Sequence, residues 1–459
     1  MSTPPNVLLI VLDSVRRDSV SAYGYERETT PFLEKFTKSA TIYTEARSSA
    51  RWSLPSHVSM FTGRNPYEHQ AFETPTSIDT SQFVFSNLPT AYQTGLFTYN
   101  PHLTSWAIPQ AFDTAATFEY ELPFPEARDP QAETTLFDLA TGEAPVRSLL
   151  NQAYLKAFWD YPWLVDRYPP QDKYIPREVN KWIRERERPW FACVNLMDAH
   201  SPYTPEPEYD RWSDGASFDQ LFETSEAPYD MQYYRGKFSD ETVRTAKNLY
   251  DGAIRQADAR VESIIDTLRD TDAYDDTLII VTSDHGEGFA DASHLYPESV
   301  DIWAHHVGCH ERHLEVPLLV KHPGQRDGNQ IDELSALEEF PSVFIDAIDG
   351  INSDFTTSRL YAYSNGIHAV KEWFPAIEGP YDTPMLIKYE TAEGRLTRKS
   401  HWDGQSGVLD ISTGMFEFRD TVTGELQEDF DRMEVRPITS DSAEMDVQTQ
   451  ERLKDLGYL

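Results

Sequence analysis

Cysteine is almost missing from this 459-residue chain, which has only Cys193 and Cys309. Two thiols cannot build a disulfide framework, so small stapled secreted folds are excluded and a reducing, cytoplasmic compartment is expected. Long apolar runs are missing too. The run "VLLIVL" near the amino terminus is far short of a membrane span. It also lacks the basic flank and small-residue cleavage site of a signal peptide, so neither a leader nor stable membrane insertion is expected. Positive charge is scarce: 40 Lys and Arg stand against 76 Asp and Glu, leaving a formal charge of −36. Such a surface repels phosphates and argues against a nucleic-acid partner. Its self-repulsion calls for screening, which points to a high-salt interior such as that of a halophilic archaeon, although ordinary acidic enzymes share the trait. Repeats and low-complexity tracts are absent.

What is present is enough for a large core: 39% hydrophobic and 13% aromatic residues exclude wholesale disorder. "NVLLIVLD" is a continuous apolar run ending in Asp13, the pattern of a strand buried on both faces of a parallel sheet. "TTPFLEKFTKSA" reads as a helix capped by Thr30 with Pro31 in its first turn. A strand over 91–97 leads into "TYNPH", and another ends at Leu196, ahead of Asp198 and His200. Ile254, Ala257, Val261, Ile264, Ile265 and Leu268 keep helical spacing, and "DTLIIVTSDHGE" follows as a buried strand delivering Asp284, His285 and Glu287. "VPLLVKHPG" is one more core strand. Alternating helices and apolar strands predict an α/β fold: a mostly parallel central sheet with helices on both faces. Beyond residue 353, "RLYAYS", "HAVKEW", "PMLIKYE", "GVLDI" and "MFEFRD" predict a small antiparallel sheet, and "QERLKDLGYL" a terminal helix. The expected organisation is a catalytic unit over 1–352, with an irregular Pro-, acid- and aromatic-rich insertion over 118–176, and a small α+β subdomain over 353–459.

"RWSLPSHVSMFTG" reads as a loop running into a helix, with Ser53 able to cap and Gly63 as the stop. A capped surface helix accounts for that stretch taken alone, and each polar strand end has an equally plain explanation. Their agreement carries more: Asp13, Asp198 with His200, and Asp284 with His285 all follow buried strands, at the sheet edge where ligands bind. Burying unpaired carboxylates is expensive, and a cation removes that expense. Asp13, Asp284 and His285, with Ser53 as a fourth donor, suit one divalent ion: Ca²⁺ or Mn²⁺ first, Mg²⁺ or Zn²⁺ next. "WAHHVGCHERH" brings four more histidines near the same rim.

At these residues the chain resembles the sulfatase family of the alkaline-phosphatase-like superfamily. The segments that carry the likeness are "NVLLIVLDSVRRD", "TTPFLEKF", "WSLPSHVSMFTGR", "FACVNLMDAHSPYTP", "YDGAIRQAD", "TLIIVTSDHGEGF", "HERHLEVPLLV" and "RLKDLGYL". The order matches almost end to end. The resemblance implies an alkaline-phosphatase-like fold, with Asp13 as the first metal aspartate and Asp284–His285 as the second metal pair. It places Ser53 where the family carries the Cys or Ser that becomes formylglycine, or a plain hydroxyl nucleophile in phosphoryl-transferring relatives. His200 matches a histidine that binds the substrate's anionic group and assists the leaving group. His306 falls within one residue of a common lysine, and Asn100 with His102 falls in a substrate-binding Lys-Trp-His segment.

Two departures stand out. Ser14 replaces a second aspartate, and His57 replaces the arginine of the Cys/Ser-x-Pro-x-Arg maturation signature. The expected activity is metal-dependent hydrolysis of a small-molecule or carbohydrate sulfate monoester. Plain Ser53 would instead serve phosphodiester or phosphonate-ester hydrolysis or phosphoalcohol transfer, and a non-catalytic metal-binding scaffold is the third reading.

Overall fold

The "NVLLIVL" run forms β1 (Asn6–Leu12), and every one of its side chains is buried. The reason is visible in how they divide. Leu8, Ile10 and Leu12 pack into one hydrophobic cluster, while Val7, Leu9 and Val11 pack into another on the opposite face. A strand covered on both sides has no use for alternating polarity. The computed structural model describes residues 4–72, 77–89, 91–105, 107–117, 174–186, 189–218, 239–292, 301–305, 308–366, 383–392 and 394–440.

Seven further strands complete the central sheet: β2 (Thr41–Arg47), β3 (Gln93–Thr98), β4 (Thr114–Thr117), β5 (Trp190–Leu196), β6 (Thr277–Thr282), β7 (Leu318–Lys321) and β8 (Asn329–Ala336). Their order is β8-β2-β7-β6-β1-β5-β3-β4. β7, the "VPLLV" segment, runs antiparallel to both its neighbours, and the other pairings are parallel. The carboxyl ends of β1, β2, β3, β5 and β6 therefore share one edge.

Helices cover both faces, as the periodicity predicts. α1 (Pro31–Phe36), α3 (Tyr174–Glu185) and α4 (Asp240–Asp270) supply Phe32, Val179, Trp182, Ile254, Val261 and Ile264 to one cluster. α2 (Ser53–Thr62) and α5 (Phe340–Ile348) supply Leu54, Val58, Phe61, Phe340 and Phe344 to the other. Thr30, expected to cap α1, makes no such bond; its hydroxyl accepts the Ala22 N–H. The open N–H groups of Phe32 and Leu33 donate instead to the Asp258 carboxylate of α4, at 2.8 and 3.0 Å. A side chain more than two hundred residues away does the capping, which a local motif cannot show.

A second, fully antiparallel sheet holds β9 (Arg359–Ser364), β10 (Met385–Ala392), β11 (Arg395–Trp402), β12 (Gln405–Asp410) and β13 (Met415–Phe418), in that order. It is followed by α6 (Thr421–Asp431). β11, "RLTRKSHW", carries too many charges to read as a strand. Its charges are matched: Lys399 pairs with Glu390 and Glu425, and buried Arg398 pairs with Glu311. Glu311 also accepts from Tyr389 at 2.6 Å and from Arg47 at 2.7 Å, which fastens this sheet to the end of β2. "HAVKEW", "QERLKDLGYL" and nearly all of the 118–176 insertion lie outside the described residues.

Replacing Asp258 by alanine leaves two helix N–H groups without an acceptor inside the core. Urea denaturation of Asp258→Ala should show a loss of about 2 kcal/mol, with a smaller loss for Asp258→Asn, which keeps one acceptor.

Candidate functional site

Asp13 is the first residue beyond β1 and Asp284 the second beyond β6, on neighbouring parallel strands. Both are fully buried, as is His285. One ligand atom from each of Asp13, Asp284 and His285 can be chosen so that all lie within 4.8 Å of one another. Ser14 makes this possible by adopting φ 61°, a left-handed conformation that strains a residue with a Cβ. From there its N–H donates to Asp284 Oδ1 at 3.2 Å and its hydroxyl donates to Asp13 Oδ1 at 3.0 Å. Where the family pattern has a second aspartate, this serine braces both carboxylates.

The second oxygen of Asp13 is equally held. Asn100 and Asn195 donate to Oδ2 at 2.8 and 3.1 Å. Thr98, the last residue of β3, donates to Asn195 Oδ1 and accepts the Asn100 N–H. Burial works to raise the Asp13 carboxyl, but the facing His200 and His285 outweigh it and bring it down to about 2. Burial and the Asp13 charge push Asp284 the other way, upward. Two close carboxylates without a cation are therefore in conflict.

The chemistry of the donor set fits a cation. Asp284 Oδ2 finds no hydrogen-bond partner among the described residues, although His285 Nε2 lies 3.5 Å away. His285 Nδ1 donates to the Gly286 carbonyl at 2.8 Å, which fixes the ring's proton and leaves Nε2 as the lone-pair donor. Gly286 itself has no room for a side chain, since a Cβ would collide with the Arg312 carbonyl.

Ser53 does not cap its helix. Trp52 is the N-cap and Ser53 the first helical residue, so its hydroxyl is free to face the strand ends. Its Oγ lies 3.4 Å from both Asp13 Oδ2 and His285 Nε2. Gly63 does end the helix, at φ 71°. His57 sits one turn beyond Ser53, where its Nδ1 donates to the Ser53 carbonyl at 2.8 Å and lies 3.7 Å from Asp284 Oδ2. It thus reaches the Ser53 backbone and the Asp284 carboxylate.

His200 is buried, donates from Nδ1 to the Ser201 carbonyl, and packs edge-on against His305 with centroids 5.3 Å apart. His102 is buried against the Trp52 ring, and Asn100 Oδ1 accepts its N–H. His306 lies outside the described residues, whereas its neighbour His305 packs tilted against His285, with ring centroids 4.4 Å apart. Asp198 leaves the cluster: its Oδ1 accepts from Arg260 and Gln256 of α4, each at 2.6 Å. His313 holds the Ala304 carbonyl at 2.8 Å, so it shapes the loop that carries His305. Ser14, Asn195, Glu287 and His305 complete the surroundings. Asn195 leaves a trace in the sequence, an amide inside an otherwise apolar buried run; His305 shows there only as one of the four histidines of "WAHHVGCHERH".

Comparison with known proteins finds relatives in sequence and in fold. The sulfatase family profile matches residues 5–351. The choline-sulfatase of Rhizobium meliloti (strain 1021) is 26% identical over 219 residues, 45% of this chain. The match spans only 39% of that relative's own length. The arylsulfatase of Clostridium perfringens (strain 13 / Type A) is 20% identical over 366 residues, covering 74% of each chain. Among solved structures, the phosphonate monoester hydrolase of Agrobacterium radiobacter superposes with a TM-score of 0.62 at 18% identity, covering 89% of this chain and 90% of that one. At that identity the likeness shows the fold.

Two substitutions test the site as a metal centre. Asn100→Ala removes a brace from Asp13 without removing a donor, so calorimetry should show Mn²⁺ affinity falling by about 10–100-fold. Gly286→Ala displaces the loop carrying His285 and should weaken binding further; wild-type affinity in either variant contradicts the assignment.

Proposed function

The chain belongs to the sulfatase family, and from that premise we propose that it is a metal-dependent hydrolase of sulfate monoesters with Ser53 as its reacting residue. The observation that carries the reading is the position of Ser53 Oγ, 3.4 Å from both Asp13 Oδ2 and His285 Nε2 at the start of a helix. A divalent ion bound there neutralises charge on the ester's non-bridging oxygens and lowers the pKa of an oxygen nucleophile. Asp13, Asp284, His285 and Ser53 are the groups that would hold it. Two carboxylates, an imidazole and a hydroxyl favour Mn²⁺ over Ca²⁺, which takes six to eight oxygens.

The residues around Ser53 then have separate tasks. Ser14, Asn100 and Asn195 keep Asp13 oriented and charged, so that the cluster pays its reorganisation cost on folding rather than during reaction. The α2 amino terminus adds partial positive charge where the ester's anionic group would lie. His200 is the proton donor for the departing oxygen, with His306 as the second candidate for that task. In the sulfatase form Ser53 is oxidised to formylglycine before turnover, by a separate maturation enzyme whose oxidant takes up the two electrons and two protons. The formylglycine hydrate attacks sulfur, the alcohol leaves, and the aldehyde re-forms as sulfate departs.

A second reading rests on His57. Its Nδ1 donates to the Ser53 carbonyl, so the arginine contact of the maturation signature is not reproduced. Unmodified Ser53 would then attack a phosphodiester or phosphonate ester, and water or an alcohol would resolve the phosphoserine. The substrate under either reading is a small-molecule or carbohydrate ester, with His102 and the 118–176 insertion shaping the alcohol pocket. We assign catalysis to residues 1–352, with 353–459 as an appended subdomain. Two buried free cysteines support a reducing cytoplasm, and the charge of −36 supports a salt-rich one and argues against a nucleic-acid partner. Among the described residues no helix is long and apolar enough to cross a membrane.

Mass spectrometry of the peptide spanning Ser53 separates the readings. Loss of two hydrogens with turnover of 4-nitrophenyl sulfate supports the sulfatase, and intact serine with turnover of bis-4-nitrophenyl phosphate supports the phosphodiesterase. Ser53→Ala should lower turnover by at least about 10³-fold in either case, and a chelator should abolish it. Unchanged turnover in Ser53→Ala removes Ser53 from the mechanism, and a metal-loaded protein inert on both esters favours the scaffold.

A further inference from the structure

The groups assigned to catalysis all precede residue 353, but the turn that presents one of them is held from beyond it. Residues 48–52 join β2 to α2, and Ser53 follows as the first helical residue. The opening turn of a helix carries N–H groups with no partner inside the helix, so something else must steady it. At α2 the N-cap residue, Trp52, makes no side-chain capping bond. Leu54, Val58 and Phe61 seat the helix in the core, while the residues before them need an anchor of their own. Precision matters there. Ser53 Oγ lies 3.4 Å from both Asp13 Oδ2 and His285 Nε2, near the outer limit of a hydrogen bond, so a small displacement of that end loses both contacts.

Arg51, two residues before Ser53, supplies the anchor. It is buried, and its guanidinium spreads over three acceptors. Nε donates to Ser364 Oγ at 3.1 Å and Nη2 to the Gly366 carbonyl at 2.8 Å, at and just beyond the end of β9. Nη1 donates to the His305 carbonyl at 3.1 Å. The backbone adds a bond to the same strand, since the Ser49 carbonyl accepts the Tyr363 N–H at 3.2 Å. Tyr363 is itself packed against the Tyr67 ring, with centroids 5.3 Å apart. Ahead of the turn, Arg47 reaches the second sheet through Glu311, which also accepts from Tyr389 and Arg398. Both ends of the turn are thus fastened to that sheet. A planar fork of five fixed donors spans divergent acceptors in a way that a single ammonium group does not.

We propose that Arg51 is a positioning residue: it anchors the turn that presents Ser53 to the second sheet, so that residues 359–366 help to set the rate of ester displacement. The proposal rests on Ser53 being the reacting residue. No proton and no charge passes through Arg51. Its effect is on where the oxygen of residue 53 stands when the ester arrives, and a misplacement of about 1 Å at a reacting atom costs about 10²-fold in rate.

Three variants of the full chain test this. R51M removes every donor while keeping an unbranched side chain. On whichever ester the wild type hydrolyses, its kcat should fall by about 10–100-fold with KM little changed. R51K should be about as slow as R51M, because the spread of donors and not the charge is what the turn uses. S364A removes one acceptor and should cost about 3–10-fold, and adding S364A to R51M should cost little more. Hydrogen exchange read by mass spectrometry gives a view that needs no turnover. In R51M, and to a smaller degree in S364A, the amides of residues 48–57 should exchange at least about 10-fold faster, with those of β1 and β6 unchanged. Wild-type kcat in R51K, a rise in KM with kcat intact, unaltered exchange over 48–57, or exchange that quickens throughout the central sheet overturns the proposal. If R51M does not fold, S364A carries the same test. A wild type inert towards every ester contradicts the hydrolase reading instead, and exchange in R51M and S364A then decides whether Arg51 anchors the turn.

Discussion

Two carboxylates that no water can reach, on adjacent strands of one sheet, dominate the energetics of this molecule's functional edge. Asp13 and Asp284 are both fully buried, and the remaining oxygen of Asp284 has no hydrogen-bond partner among the described residues. Inside a protein such a pair is unfavourable unless a proton or a cation lies between them. The surroundings of Asp13 do not favour a proton there. Ser14, Asn100 and Asn195 all donate to Asp13, which is how a structure keeps a carboxylate ionised. His285, its Nδ1 tied to a backbone carbonyl, turns a lone pair towards the same space. The edge is arranged for a positive charge, and the proposed role of Ser53 follows from that.

The sheet supplies the precision. β1 and β6 pair in register from Asn6–Thr277 to Val11–Thr282, so the residues that follow each strand emerge side by side. β3 and β5 pair in the same direction and bring Asn100 and Asn195 to the same edge. α2 starts beyond β2 and presents Ser53 from a first turn fixed by Leu54, Val58 and Phe61 in the core. Donors held by buried strands keep their positions without cost during a reaction, which loops alone do not achieve.

Much of this was legible in the sequence, and the failures have physical causes. "NVLLIVLD" and "TLIIVTSDHGE" gave away both strands and their terminal acids, because a doubly covered strand is apolar throughout and its first polar residue marks the edge. Ser53 and Thr30 read as helix caps because capping is a local pattern. In the folded chain Ser53 answers to Asp13, and α1 is capped by Asp258 from a distant helix. β11 went unread because its charges look like surface, although Arg398 is buried on Glu311. The histidine loop shows the limit most plainly. Its "AHH" offers two adjacent imidazoles with no periodicity to choose between them, and the structure brings His305 onto His285. Asp198 followed the strand-end rule and still left the site, because Arg260 on α4 gave it a partner.

The account comes down to one ion in one place. Crystals grown with Mn²⁺ and measured at the manganese absorption edge would locate it by anomalous scattering. The prediction is a single strong peak within bonding distance of Asp13, Asp284 Oδ2 and His285 Nε2, with the oxygen of residue 53 in its coordination shell. A map with no peak between these side chains, or with manganese bound elsewhere while they remain in mutual contact, contradicts it.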